Sequence, residues 1–204
     1  MAETVVRFFQ EGGFFMYPIA VILVIGLAIA LERWIYLSSA KRSNRAAFDK
    51  GILPILRKQD YKSALKFSNQ SPTAIAAIMG AGLSRFINGS RRDEVEFAME
   101  EGLMETLPRL EKRTPYLATL ANVSTLLGLL GTIIGLIAAF TAVAHADPSE
   151  KASLLSQSIS VAMNTTAFGL MSAIPLLLFH AVLQTKTNEI VDSFEMAGVK
   201  LLNI

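Results

Sequence analysis

The hydrophobic positions of the chain fall into three long runs, with polar segments between them. The runs are Phe14–Leu31, Ala118–Ala142 and Ser156–Leu183, and none of them contains Asp, Glu, Lys or Arg. About 20 consecutive apolar residues are enough for a helix to cross the hydrocarbon core of a bilayer. The pattern therefore predicts an all-α integral membrane protein with three transmembrane helices.

The polar segment between the first two runs has the pattern of several shorter helices. Helix-breaking residues divide it at Gly51–Pro54, Ser71-Pro72 and Asn88–Ser90. We expect helices over Tyr61–Asn69 and Thr73–Phe86. We expect an amphipathic helix to follow from near Ser90, with Ser90 and Asp93 forming a capping box at its start.

These elements predict four parts of the chain. They are an outer N-terminus with the first transmembrane helix (1–37), a cytoplasmic helical insert (38–114), the second and third transmembrane helices (115–184), and a cytoplasmic C-terminal helix (185–204). Pro175 lies inside the third run, and it predicts a bend or a local unwinding of that helix, because proline lacks the N–H that the helix needs.

The composition agrees with a membrane protein. The 204 residues are 52% hydrophobic, with a mean hydropathy of +0.44, which is unusual for a soluble domain. The chain contains no cysteine, so a disulfide framework and a thiolate metal site are both excluded.

The distribution of charge predicts the orientation. Residues 32–114 hold fifteen of the 19 Lys and Arg and ten of the 17 acids, a local net charge of +5. Positively charged loops stay in the cytoplasm, so we expect the N-terminus on the outer side of the membrane and the C-terminus in the cytoplasm. A nucleic-acid-binding surface is the alternative, but acids and bases are interleaved here, so we expect no nucleic-acid partner.

A cleaved signal peptide is the alternative reading of the first run. Ala28-Ile29-Ala30 imitates a cleavage site. The run is long, however, and almost all basic residues of the chain follow it, whereas in a signal peptide they precede the apolar segment. We therefore expect a retained transmembrane helix.

Small residues line one face of the second run at steps of three or four. They are Ala118, Ala121, Thr125, Gly128, Thr132, Gly135, Ala139 and Ala142. In lipid, small side chains allow two helices to approach closely. We predict helix packing at Gly128, Gly131 and Gly135, and at Gly169 of the third run, and we expect such faces to hold an oligomer together.

Polar side chains within the spans indicate a second possibility, an ion pathway. The second and third helices run in opposite directions, so Thr132 and Thr166 fall at similar depths, with Thr165 and Asn164 beside them. Their hydroxyl and amide groups could meet across the helix pair. Alternatively, each threonine bonds to a carbonyl of its own helix, which is common. The sequence leaves both readings open.

The spans lack a titratable carboxylate or amine, and this limits the chemistry. A proton relay needs such a group, so we expect the carboxylate to come from another polypeptide, unless neutral oxygens hold a sodium ion. His145 and His180 lie at the membrane edges, and we interpret them as interfacial residues. The sequence contains no nucleophile–base pattern, metal-ligand cluster or phosphate loop. We therefore expect no enzymatic activity and no cofactor beyond a transported H⁺ or possibly Na⁺.

The spans resemble the MotA/TolQ/ExbB family. PYLATLANVSTLLGLLGTIIGLIAAF at 115–140 and ISVAMNTTAFGLMSAIP at 159–175 are similar to the second and third helices of that family, and FFMYPIAVILVIGLAIALERWIYL at 14–37 is similar to its first. The three-span layout resembles the ExbB/TolQ branch, because MotA-type chains have a fourth span.

The resemblance implies a homopentamer in the bacterial inner membrane, with the N-terminus in the periplasm, whose second and third helices line a pore. The pore would enclose single-span partners similar to ExbD or TolR, which carry a membrane aspartate, and ion flow would drive work on a periplasmic partner of the TonB or TolA kind. By motif, Thr132 and Thr166 match the pore threonines. The chain departs from the family at Val161, where ExbB-type chains often have glutamate, and proton and sodium both stay candidates.

Two other classes of function compete with the motor. A non-conducting membrane scaffold would tolerate loss of the threonine hydroxyls. A small-solute transporter is a poor fit, because the chain has three spans and no internal repeat.

Overall fold

The computed structural model describes residues 13–203, and these residues are almost entirely helical. The α-helices are α1 (Met16–Ala46), α2 (Leu53–Leu56), α3 (Tyr61–Gln70), α4 (Ala74–Ile87), α5 (Arg92–Glu111), α6 (Thr114–His145) and α7 (Lys151–Leu202). A π-helical segment, Ala47–Ile52, connects α1 to α2. Residues 13–203 contain no strand, so the predicted all-α class is confirmed.

Three stretches of helix are long and apolar enough to cross a membrane. They lie within Met16–Leu56, Arg92–His145 and Lys151–Leu202. The prediction of three transmembrane helices is therefore confirmed. A turn at Asp147 joins α6 to α7, and there the Glu150 N–H donates to the Asp147 carbonyl at 2.9 Å.

The chain forms two compact units. The first consists of Met1–Leu31, as far as it is described, and Arg113–Ala181, and the second consists of Glu32–Lys112 and Val182–Ile204. Helices α1 and α7 each contribute residues to both units.

In the first unit, the buried face of α6 consists mainly of small residues. Leu117, Ala121, Ser124, Gly128, Gly131 and Ala139 are all buried, at steps dominated by three and four. The face is rotated slightly from the one expected, because Ser124 is buried while Thr125 and Thr132 are only half-buried. The first span contributes Gly26, which lies against the side chain of Leu176.

In the second unit, α4 packs against both α3 and α5. Its sequence is rich in Ala and Gly, which allows close approach, and Met79 and Leu83 are completely buried. Asn44 of α1 connects two elements distant in sequence: its side chain donates to the Ala40 carbonyl at 2.8 Å and accepts from the Ile75 N–H at 2.9 Å. Asn44 thus caps the start of α4, a task that the preceding Thr73 side chain does not perform.

Two local predictions were wrong. The capping box at Ser90 and Asp93 does not form: Arg91 is the N-cap of α5, with no side-chain cap, and Asp93 pairs with Arg91 at 3.2 Å. The chain does not break at Gly51–Pro54, because helical structure continues from Met16 to Leu56. At Pro175 the helix does not unwind, because α7 continues through it as one helix of 52 residues, and the predicted bend stays a prediction. The expected C-terminal helix is consequently the end of α7.

Candidate ion pathway between α6 and α7

The backbones of α6 and α7 come into contact at two glycines. A Cβ atom on Gly169 would lie 2.8 Å from the Ser124 carbonyl oxygen and 3.1 Å from the Cα of Gly128. A Cβ on Gly128 would lie 3.3 Å from the Cα atoms of Gly169 and Thr166. The two helices therefore approach closely because neither position carries a side chain.

A serine that the sequence reasoning missed lies at the same contact. Ser124 is completely buried, and its hydroxyl donates to the Gly169 carbonyl across the helix pair at 3.1 Å. The available signal was its place four residues before Gly128, which is one helical turn along the same face. A serine in an apolar helix usually bonds to its own backbone, so this signal was weak.

Thr132 lies two helical turns beyond Ser124 on α6, and there it meets Thr166 of α7. Their hydroxyls are in hydrogen-bonding contact with each other, and both reach the Gly128 carbonyl, at 3.2 Å for Thr132 and 2.9 Å for Thr166. The Ala162 carbonyl of α7 lies 3.5 Å from the Thr132 hydroxyl. Two hydroxyl and two carbonyl oxygens thus converge in the helix contact, and both threonines are half-buried.

Thr165 is adjacent to Thr166 but has a different environment. It is 2% exposed, and its hydroxyl donates to the Val161 carbonyl of its own helix at 2.9 Å. Its methyl group lies where Gly131 leaves room, since a Cβ on Gly131 would be 2.5 Å from that methyl carbon. Thr165 thus packs α7 against the Gly131 position of α6.

Asn164 and Gly135 complete the predicted set. Asn164 is half-buried, and within the described residues no hydrogen bond joins its amide to Thr132 or Thr166. A Cβ on Gly135 would lie 2.9 Å from the Ala162 Cβ. The glycines that we expected to join separate protomers therefore make contacts between helices of the same chain.

The two histidines take no part in this cluster. His145 Nδ1 lies 3.0 Å from the Thr141 carbonyl, and His180 Nδ1 lies 3.1 Å from the Thr114 carbonyl. A carbonyl can only accept, so each ring donates from Nδ1. Among residues 13–203, no group of three or more His, Cys, Asp or Glu side chains is placed to hold a metal ion.

Comparison with known proteins identifies relatives over nearly the whole chain. A model of the MotA/TolQ/ExbB proton channel family matches residues 70–196. An ExbB homolog of Methanothermobacter thermautotrophicus is 30% identical over 194 residues, which cover 95% of this chain and 67% of that protein. An ExbB-like protein of Synechocystis is 30% identical over 178 residues, 86% of this chain and 83% of that protein. The Tol-Pal system protein TolQ of Haemophilus influenzae is 34% identical over 97 residues, 48% of this chain and 42% of that protein.

Proposed function

This chain belongs to the MotA/TolQ/ExbB proton channel family, and we propose that it is the channel subunit of an ion-driven motor in the bacterial inner membrane. In this proposal the chain forms a homopentamer with a periplasmic N-terminus and a cytoplasmic C-terminus. It couples proton flow to work on a periplasmic machine. The names of its relatives, biopolymer transport proteins and a Tol-Pal system protein, support this class of function.

The main structural support for this proposal is the contact between the hydroxyl groups of Thr132 and Thr166. The two threonines place donors and acceptors at one point of a helix pair whose apolar spans contain no charged residue. A hydroxyl both donates and accepts, so the pair could hand a hydrogen bond to a passing carboxylate. Because the spans supply no carboxylate themselves, a partner must bring it.

We propose that the partner is a single-span protein similar to ExbD or TolR, with an aspartate in its membrane helix. A periplasm-spanning protein of the TonB or TolA kind would receive the work. No further cofactor is required, because the transported ion is the only small species that enters the cycle.

Sodium is a second candidate for the ion. The two hydroxyls converge with the carbonyls of Gly128 and Ala162, and hard cations prefer oxygen ligands of this kind. Val161, at the place where ExbB-type chains often have glutamate, removes one carboxylate that a proton route could use.

A non-conducting scaffold is a third candidate. It is favoured because both threonine hydroxyls lie within hydrogen-bonding distance of a carbonyl of their own chain, that of Gly128. The two hydroxyl protons can be used entirely within the chain, on the Gly128 carbonyl and on the bond between the two threonines, so the hydroxyls could serve packing alone.

Flux measurements on liposomes separate these candidates. Liposomes with this chain alone should show no gradient-driven flux, and flux should appear when a single-span partner with a membrane aspartate is added. The matched control is the same partner with that aspartate changed to asparagine. Flux driven by a sodium gradient but not by a pH gradient would select sodium. Strong flux from the chain alone would refute the proposal, and no flux with any partner would favour the scaffold.

A further inference from the structure

Charge is segregated within the second unit. Residues 32–91 carry eleven Lys and Arg against three acids, whereas α5 carries seven acids against two arginines. Most of the acids on α5 are exposed. A strongly acidic helix therefore lies beside a basic remainder, and nothing in the proposed ion pathway uses it.

A cavity of about 480 Å³ opens beside these acids, between α5 and the end of α7. Its floor is apolar and includes Met99, Leu103 and Phe194. Gly198 of α7 keeps the floor open, since a Cβ there would lie 2.7 Å from the Met99 Cε. The volume is sufficient for one or two large apolar side chains.

The mouth of the cavity is both acidic and apolar. Glu96, Glu100 and Glu195 are among the lining residues, and all three are exposed. None of the three makes an ion pair in the described part of the chain. Met104 and Val199 also line the mouth, 69% and 51% exposed, so apolar surface continues outward from the cavity.

We propose that this cavity is a docking groove for a cationic amphipathic helix of another polypeptide. An apolar side chain of that helix would enter the cavity, and its Lys or Arg residues would pair with the three carboxylates. Glu96 and Glu100 are four residues apart and lie on the same face of α5, so they match basic residues spaced one turn apart on a helix.

A second copy of this chain fits the groove less well. The end of α1 is basic, but Lys41 and Arg45 already pair with Glu189 and Asp49 of the same chain. The helix α3 carries Lys62 and Lys66, but Ala64 on that helix is completely buried inside its own unit. It can offer charge, but its apolar side is already covered. An anionic lipid surface is disfavoured by the carboxylates at the mouth.

Peptide binding tests the groove. The probes are a fluorescent Leu/Lys amphipathic helical peptide and its counterpart with Glu in place of Lys. The receptor is the full chain in nanodiscs of neutral phosphatidylcholine, and binding to empty nanodiscs is subtracted. We expect saturable binding of the Leu/Lys peptide only, weakening as salt is raised. Equal binding of the Glu peptide would overturn the proposal.

Two double variants of α5, each of which neutralises two glutamates, separate the groove from the rest of the acidic helix. E96Q/E100Q removes the carboxylates at the mouth, and E101Q/E105Q removes a pair with the same spacing that lies outside the cavity lining. Two lost charge pairs should weaken binding by about tenfold for E96Q/E100Q, whereas E101Q/E105Q should change it by less than about threefold. Equal loss in both variants would show general attraction to an acidic helix and refute the groove, as would no loss in either.

A single introduced thiol identifies the occupant. The chain has no cysteine, so Val199→Cys places one thiol at the mouth of the cavity. In the presence of oxidised glutathione as the oxidant, a disulfide should form with a Leu/Lys peptide that carries one cysteine. Efficient formation of a disulfide-linked dimer of the chain, undiminished by the peptide, would show that two mouths face each other without room for a partner helix and would overturn the proposal.

Discussion

At the scale of single residues, the contact between α6 and α7 depends on Gly169. A side chain at this position meets the Ser124 carbonyl, which is backbone and cannot turn aside. At Gly26, a Cβ would also come too close, 2.5 Å from a Leu176 Cδ atom, but that atom is the end of a flexible side chain. An added methyl group at Gly169 would therefore displace backbone, whereas one at Gly26 would displace only a side chain.

We predict that Gly169→Ala destabilises the first unit more than Gly26→Ala does. Gly169→Ala forces the helices apart and weakens the Ser124 hydrogen bond, at a cost of about 1–3 kcal/mol. Gly26→Ala should cost less, because Leu176 can change rotamer. Thermal unfolding in detergent measures both variants against wild type. Equal midpoints for the two variants would contradict the backbone contact.

A single buried arginine, Arg33, caps the end of α5. It is 3% exposed, and its guanidinium donates to the carbonyls of Arg109 and Leu110 at the end of α5. The last carbonyls of a helix lack partners within the helix, and a cation at this end is favourable. From sequence, a charge that ends an apolar run resembles an interfacial anchor, so this role was not predicted.

Arg33→Met should loosen the end of α5. Loss of hydrogen bonds from a charged donor should cost about 1.5–3 kcal/mol locally. Hydrogen exchange should therefore become faster in the last two turns of α5. Arg91→Met is the control, because Arg91 is exposed and forms only surface ion pairs. Unchanged exchange in Arg33→Met would show that the carbonyls find water instead.

At the scale of helices, the ranges of helices were predicted better than the side chains that cap them. The helices α3 and α4 lie within one residue of their predicted ranges. The start of α4 could not be predicted in detail, because its cap comes from Asn44, 31 residues earlier. The α7 helix does not unwind at Pro175, because proline removes only one helix hydrogen bond and the neighbouring Ala173 and Leu176 are buried.

The start of α3 should respond to pH. The Asp60 carboxylate accepts from the Ser63 N–H at 3.1 Å, and the hydrogen bonds with Ser63 hold the pKa of Asp60 below its ordinary value. The cap therefore contributes its stability above the unfolded pKa of about 4, and this contribution is lost as the pH falls through the lower folded pKa.

Hydrogen exchange of α3, corrected for the intrinsic effect of pH, measures this cap. Protection in the first turn should fall as the medium is acidified below about pH 4. Asp60→Asn keeps an acceptor but cannot titrate, so its protection should not change over this range. The same pH dependence in wild type and Asp60→Asn would assign the effect to another group.

At the scale of the whole molecule, composition and hydropathy were sufficient to predict the class. Three uncharged runs predicted three membrane helices, and the similar depth of Thr132 and Thr166 followed from opposite helix directions, whereas the meeting of their hydroxyls stayed one of two possibilities. The sequence could not predict which helix would pack against the small-residue face of α6, because such a face suits contact within a chain and contact between chains equally. Gly128 and Gly135 lie against α7 of the same chain.

We propose that the Thr132–Thr166 pair serves ion passage rather than packing. Thr166→Val keeps the shape and removes the hydroxyl. A lost hydrogen bond of about 1 kcal/mol is a large part of the roughly 2.3 kcal/mol that one charge gains across 100 mV. Thr125→Val on α6 is the control, because the Thr125 hydroxyl donates only to the Ala121 carbonyl of its own helix, at 3.2 Å.

The most direct measurement is gradient-driven flux through liposomes that contain the chain and its acidic partner, compared among wild type, Thr166→Val and Thr125→Val after equal assembly is verified. The pathway predicts a steep loss of flux for Thr166→Val and nearly normal flux for Thr125→Val. Full flux through normally assembled Thr166→Val would contradict the pathway and leave the threonine pair as a packing contact.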